Sequence, residues 1–145
     1  MLDLKADREA TPPKDAATLV LVREAPAGGG IEIFCVERNK QSRFMGGAIV
    51  FPGGKLDGSD VLDEWTPLTT PPRLPARGGV PFTSSDAHFR SLAIACARET
   101  LEEGAILHVQ DGSGTQDELF VLRRELETTP YALRAFLAKQ RLRLD

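Results

Sequence analysis

An α/β fold is predicted by three observations. Two β-branched apolar runs, "AATLVLVRE" and "IEIFCVER", lie within the first forty residues. A third apolar run, "AIVF", leads straight into the glycine turn "PGGK". After residue 84 the pattern changes to capped, helix-like stretches. At 145 residues the chain reads as one domain, 1–145, long enough to bury an ordinary core.

The elements follow in order. Residues 1–14 are polar, end in "PPKD" and read as a loose arm. "AATLVLVRE" suits a strand buried on both faces, "APAGGG" a turn, and "IEIFCVER" the hairpin partner. The polar, basic loop "RNKQSRFMGG" leads to "AIVFPGGKLDG", a short strand stopped by proline and glycines. From Asp57 to Ser84 there are five prolines and no periodicity, so 57–84 reads as a long structureless insertion. A helix then opens with Ser84 or Ser85 as cap and Asp86 in its first turn. Phe89, Leu92, Ala93, Cys96, Ala97 and Leu101 form its apolar arc. "ILHVQ" fits a short strand, and "TQDE" a capping box opening a helix through "ELFVLRREL". "TTPYALRAFLAKQRL" reads as a last helix, with Thr129 as cap and Pro130 at its first position.

Composition excludes several classes of function. A net charge of −3 provides no basic field for nucleic acid. No apolar run approaches a membrane span, and no signal peptide is seen, so the expectation is a soluble, cytoplasmic protein. Cys35 and Cys96 have neither disulfide-framework nor zinc spacing and read as small apolar fillers.

The chemistry concentrates in "RETLEEGAI". Glu99, Glu102 and Glu103 stand at i, i+3 and i+4, which on a helix places three carboxylates within roughly 5–6 Å of one another. One explanation is a solvated acidic face with Arg98 paired to a neighbour. Another is a cation, because acid at a helix C-terminus opposes the dipole. "FPGGKLDG" favours the cation: its glycine backbone allows a ligand to approach amides and a carbonyl closely. Hard oxygen donors suit Mg²⁺ or Mn²⁺, whereas His88 and His108 do not pair with the cysteines at zinc spacing. The residues thus point to a divalent-metal phosphate site.

"GGK" followed by a helix bearing "RETLEE" resembles the Nudix box, G-x5-E-x7-R-E-U-x-E-E-x-G-U, of enzymes that hydrolyse nucleoside diphosphates linked to another group. Arg98 to Glu103 match position by position, and Ile106 fits the closing apolar position. The departures are the 57–84 insertion within the box, Asp60 in place of the first glutamate, and Ala105 for the closing glycine, with Gly104 one place early. "FCVERNKQSRFMGGAIVFPGG" is further similar to the signature of coenzyme A-hydrolysing Nudix proteins: Arg38, Arg43, Gly47 and Phe51-Pro52-Gly53-Gly54 fall in place. The resemblance is closest to the CoA-diphosphatase branch that includes the mammalian peroxisomal enzyme.

The resemblance implies an α/β/α sandwich around a mixed sheet. It assigns Glu99, Glu102, Glu103 and the Gly53 carbonyl to the metal ions, and Arg98 to orienting the glutamates. Glu102 or Glu99 would take the proton of the attacking water. Lys55, beside Gly54, would sit near the diphosphate, while Arg38 and Arg43 would grip the CoA phosphates. The substrate implied is CoA or acyl-CoA, cleaved to 3′,5′-ADP and (acyl-)phosphopantetheine. Alternatives are a diphosphatase for ADP-ribose, NADH or a nucleotide sugar, and a module that binds a nucleotide without cleaving it. Because the family continues with strands where this sequence shows only helices after residue 110, the sheet is expected to be completed from outside these residues, in a longer chain or in a homodimer.

Overall fold

The computed structural model describes residues 12–42, 45–71, 85–110 and 112–145. Most of the expected arm, Ser84, and 72–84 of the expected insertion therefore lie outside the described residues, as does Arg43. Strand β1 (Ala16–Thr18) is followed by β2 (Val22–Glu24), β3 (Ile31–Ile33), β4 (Val36–Glu37), β5 (Ile49–Val50) and β6 (Gly53–Lys55). Helix α1 (Asp86–Gly104), strand β7 (Val109–Gln110), helices α2 (Gln116–Leu126) and α3 (Ala132–Gln140), and strand β8 (Arg143–Leu144) complete the order. The described strands pair antiparallel in twos: β1 with β6, β2 with β3, β4 with β5, and β7 with β8.

The β2–β3 hairpin forms as expected, with Val22 opposite Ile33 and Arg23 opposite Glu32. A 3₁₀ turn at Pro26–Gly28 reverses the chain, and the Arg23 Nε–H donates to Glu32 Oε2 across the strands at 2.6 Å. Burial on both faces is not found: Val22 is 56% exposed and Ile31 71%. Helix α1 lies against β1 and β6, leaving the hairpin outside the main contacts. "AIVFPGGKLDG" is likewise two strands rather than one. Pro52 has no N–H for a ladder, and β5 and β6 lie on either side of it, while its carbonyl accepts from Leu19 N–H at 2.9 Å.

Ser85 caps α1, its side chain accepting from the His88 N–H. Leu92 and Leu101 are buried as the periodicity requires, but so are Ser91, Ile94, Ala95 and Thr100. The helix is covered on two sides, by β1 and β6 and by α2. The buried hydroxyls of Ser91 and Thr100 donate to carbonyls one turn back, at 2.9 and 2.7 Å, so neither is left unsatisfied. Ala105 ends the helix in a left-handed conformation (φ 51°), the role a glycine would fill more easily. Gly104, one place earlier, is needed for a different reason: a Cβ there would press on the Phe34 ring.

Three expectations need correction. Part of the 57–84 segment is structured: residues Asp63–Leu68 form a 3₁₀ helix whose Trp65 is 2% exposed, and Asp60 is 1% exposed. Two turns of 3₁₀ helix are too short to leave a periodic signal. Helix α3 begins at Ala132, with Tyr131 at the cap, and Thr129 instead accepts the Ala132 N–H through its carbonyl. The end of the chain is also not all helix: "RLRL" supplies β8, which pairs with β7 and meets Thr69 in a parallel bridge. The capping box at Thr115 and Glu118 is present in full.

The core sits in the helical half. Trp65, Ile94, Leu101, Leu122, Leu133 and Leu137 are its most enclosed members, closed off by Leu142 and Leu144. The β1–β6 pair rests on the other side of α1, so the "GGK" backbone is set against the glutamate-bearing end of that helix.

Candidate active site

Helix α1 carries Arg98, Glu99, Glu102 and Glu103 towards β6 in its last two turns. Arg98 organises them. Its Nε–H and one terminal nitrogen donate to the two oxygens of Asp60, each at 3.0 Å. The other terminal nitrogen donates to Glu99 Oε1 and Glu102 Oε1, each at 3.1 Å. A further bond, at 3.2 Å, goes to the Lys55 carbonyl. The guanidinium therefore ties the glutamates both to the strand and to the segment before the 3₁₀ helix. Burial works against its charge, yet the Asp60 and Glu102 carboxylates outweigh that, and its proton is held more firmly than an ordinary arginine's.

Burial pushes the Glu102 carboxyl up from its usual range against the pull of Arg98, and the charges of Glu99 and Asp60 add to the rise. Glu103 points to the strand, where its Oε2 accepts the Gly53 N–H at 3.2 Å. Glu99 lies so close to Gly54 that a Cβ there would overlap its carboxylate. At Gly53 the close neighbour of an added Cβ would be the β1 backbone, and at Gly54 the Glu99 side chain. Lys55, next in β6, is exposed.

Arg38 lines a cleft of about 480 Å³ together with Thr18, Cys35, Phe51, Gly53 and Glu103. The β4–β5 pairing places it there, continued by Arg38 N–H to Ala48 O at 3.0 Å. Glu103, Gly53 and Arg38 are thereby brought to one cavity. Arg43, in the connection between β4 and β5, lies outside the described residues. His88 is engaged elsewhere, 3.6 Å from Asp15. Cys96 behaves as the expected filler: burial, then the Glu99 charge, push its thiol up to about 11.

Among the described residues, no three His, Cys, Asp or Glu side chains are gathered into a ready-made metal cage. Glu99 and Glu102 each turn Oε1 to Arg98, and Glu103 turns Oε2 to a backbone amide. Every one of these carboxylates has a second oxygen, and the donor set is oxygen throughout. That chemistry fits Mg²⁺ or Mn²⁺ and not a thiophilic ion.

Sequence patterns pointed to these glutamates, the arginine and the glycines, and gave Asp60 only as the residue in place of the first box glutamate, with no partner assigned. What they missed is how Asp60 is held. The Asp57 N–H donates to Asp60 Oδ2 at 2.9 Å, the Ser59 N–H to Asp57 Oδ1 at 2.8 Å, and the Trp65 indole N–H to the Ser59 carbonyl at 2.7 Å. The signal available was a lone tryptophan in an otherwise patternless stretch.

The two glycines predict contrasting variants. At Gly53 (φ 154°) a Cβ would meet rigid backbone, the Ala17 carbonyl and the Thr18 Cα, in the paired strand. Gly53→Ala should destabilise the fold on the order of 1–3 kcal/mol for the conformation, with a comparable cost for overlap. At Gly54 the obstacle is the movable Glu99 side chain. Gly54→Ala should stay folded and displace the carboxylate. Urea unfolding of both variants checks this; equal losses would count against the geometry.

No family model matches the chain. Among solved structures it is similar to the crystal structure of a Nudix hydrolase from Alicyclobacillus acidocaldarius, with 33% sequence identity and a TM-score of 0.68. The match covers 94% of this chain and 59% of that one, so the chain spans well under two thirds of its neighbour's length. Among the described residues no helix is long and apolar enough to cross a membrane. The α/β fold built around α1 and β6 is that of a Nudix hydrolase.

Proposed function

We propose that the chain carries out metal-dependent hydrolysis of a diphosphate linkage in a nucleotide derivative, with CoA or acyl-CoA as the substrate. The observation that carries this is the Arg98-organised face of Glu99, Glu102 and Glu103 set against Gly53 and Gly54. The presence of Arg38 in the same cleft as Glu103 supports a phosphate-bearing ligand. Glu99, Glu102 and Glu103, with the Gly53 carbonyl, would hold Mg²⁺ or Mn²⁺. When bound, the metal supplies charge neutralisation at phosphorus and a more acidic water.

The chain's own residues do the rest. Arg98 fixes the rotamers of Glu99 and Glu102, so that one of them stands ready as general base. Water attacks one phosphorus, its proton passes to that glutamate, and the bond to the bridging oxygen breaks. Lys55 offsets charge on the departing phosphate, and Arg38 and Arg43 hold the CoA phosphates. The products are 3′,5′-ADP and (acyl-)phosphopantetheine.

Incubation with CoA, acetyl-CoA, ADP-ribose and NADH, each with Mg²⁺ or Mn²⁺ and with products separated by chromatography, tests the proposal. Turnover of the CoA pair is expected to dominate. Preference for ADP-ribose or NADH would replace the substrate, and binding without turnover would make the chain a nucleotide-binding module. Arg38→Ala should weaken CoA cleavage by the equivalent of about 1.5–3 kcal/mol, the worth of a hydrogen bond to a charged group, and spare ADP-ribose. Equal losses on both would remove the arginine from specificity.

A further inference from the structure

The turn that holds Asp60 is the least expected part of this site. Asp60 is 1% exposed and carries both oxygens to Arg98, so its position fixes that of the guanidinium. Asp60 is itself held by a tight turn: its N–H donates to the Asp57 carbonyl at 3.1 Å, and its Oδ2 accepts the Asp57 N–H at 2.9 Å. The Ser59 hydrogen bonds hold the Asp57 carboxyl below its usual range, which marks it as an engaged acceptor. The anchor lies outside the turn. Trp65, 2% exposed, reaches back with its indole N–H to the Ser59 carbonyl at 2.7 Å. The ring is fixed in turn by the core, with the Arg134 guanidinium 5.9 Å from its centre.

We infer that Trp65 is a positioning residue for the candidate active site, acting through Ser59, Asp60 and Arg98 on Glu99 and Glu102. The inference rests on the function proposed above for those glutamates. A buried carboxylate–guanidinium pair with fixed geometry passes on small displacements, because neither partner can turn to water for other bonds. If the Ser59 carbonyl loses its donor, the turn shifts, Asp60 shifts with it, and Arg98 no longer presents both glutamates in one orientation. The 3₁₀ helix thereby serves the site from the core, at a position where a phenylalanine would keep an apolar ring but could not donate.

The test is Trp65→Phe, compared with Leu126→Val, a core change in helix α2 away from the turn. Three quantities are measured: kcat against KM, Mn²⁺ affinity from free-ion electron paramagnetic resonance, and the Arg98 Nε–H signal in side-chain nuclear magnetic resonance spectra. Trp65→Phe should lower kcat and Mn²⁺ affinity by about 10-fold or more, as loss of a supporting partner around a metal typically does. KM should change little, and the Arg98 signal should shift and exchange faster. Leu126→Val should alter stability alone. Asp57→Ala, at an exposed site, should produce the same pattern in weaker form and guards against misfolding of the tryptophan variant. If Trp65→Phe leaves the Arg98 signal and kcat at wild-type values, or if Leu126→Val moves them equally, the inference is wrong. A wild-type protein without turnover on any substrate would overturn the proposed function instead, while the Arg98 signal still decides whether Trp65 positions the guanidinium.

Discussion

Replacing Arg98 by alanine is expected to cost about 3–5 kcal/mol, the usual penalty for breaking a buried ion pair by removing one partner. The reason is Asp60. Its carboxylate is 1% exposed, and two of the bonds that satisfy it come from Arg98. Without them, a charge stays in a poorly solvated place with, among the described residues, the Asp57 amide alone for compensation. Arg98→Lys should recover part of the loss at most, since an ammonium cannot span Asp60, Glu99, Glu102 and the Lys55 carbonyl together. Removing both charges, as Asp60→Leu with Arg98→Met, should cost less than the two single losses summed. Urea denaturation of Arg98→Ala, Arg98→Lys, the double variant and its two single variants reads this directly. A loss below about 1 kcal/mol for Arg98→Ala would be the value of a surface pair and would contradict the burial seen here.

The second large effect is on turnover. Glu102→Gln and Glu103→Gln keep the size of each side chain and abolish its charge. If the proposed function holds with Glu102 as the general base, kcat should fall on the order of 10²–10⁴-fold in Glu102→Gln. Losses at the other should appear chiefly as weakened divalent-ion affinity. Stability should scarcely move at Glu103, which among the described residues accepts one bond, from the Gly53 amide, since an amide oxygen accepts that bond too. Activity preserved in both variants would remove the glutamates from the chemistry and leave the acidic face as a salt-bridge platform around Arg98.

Much of this arrangement was legible in the sequence because it depends on local rules. The i, i+3, i+4 spacing of the glutamates, the Ser85 cap and the Thr115–Glu118 box each act within one or two turns of helix. The hairpin was legible for the same reason, its strands being joined by the short turn around Pro26–Gly28. What escaped is governed by distance along the chain. Trp65 packs beside α3, and β8 finds β7 across two helices; no periodicity in either segment announces those contacts. The exposure of Val22 and Ile31 escaped for a related reason, since an apolar run reports the capacity to be buried and says nothing about which surface arrives to bury it.

The location of the core has a consequence for how the molecule opens. The helices enclose Leu101, Leu122, Leu133 and Leu137, whereas β2 and β3 are exposed along their whole length. Local opening follows such differences in packing. Backbone amides of β2 and β3 should therefore trade their protons for deuterium well before those of α1 and α2. The glutamates sit where the slow part of the molecule ends: α1 is anchored on its α2 side, while β6 lies between α1 and β1 and is only half-buried. Opening of the β1–β6 ladder would release the Gly53 amide from Glu103 without disturbing the Arg98 bonds to Asp60, so the two sides of the site would come apart on separate clocks.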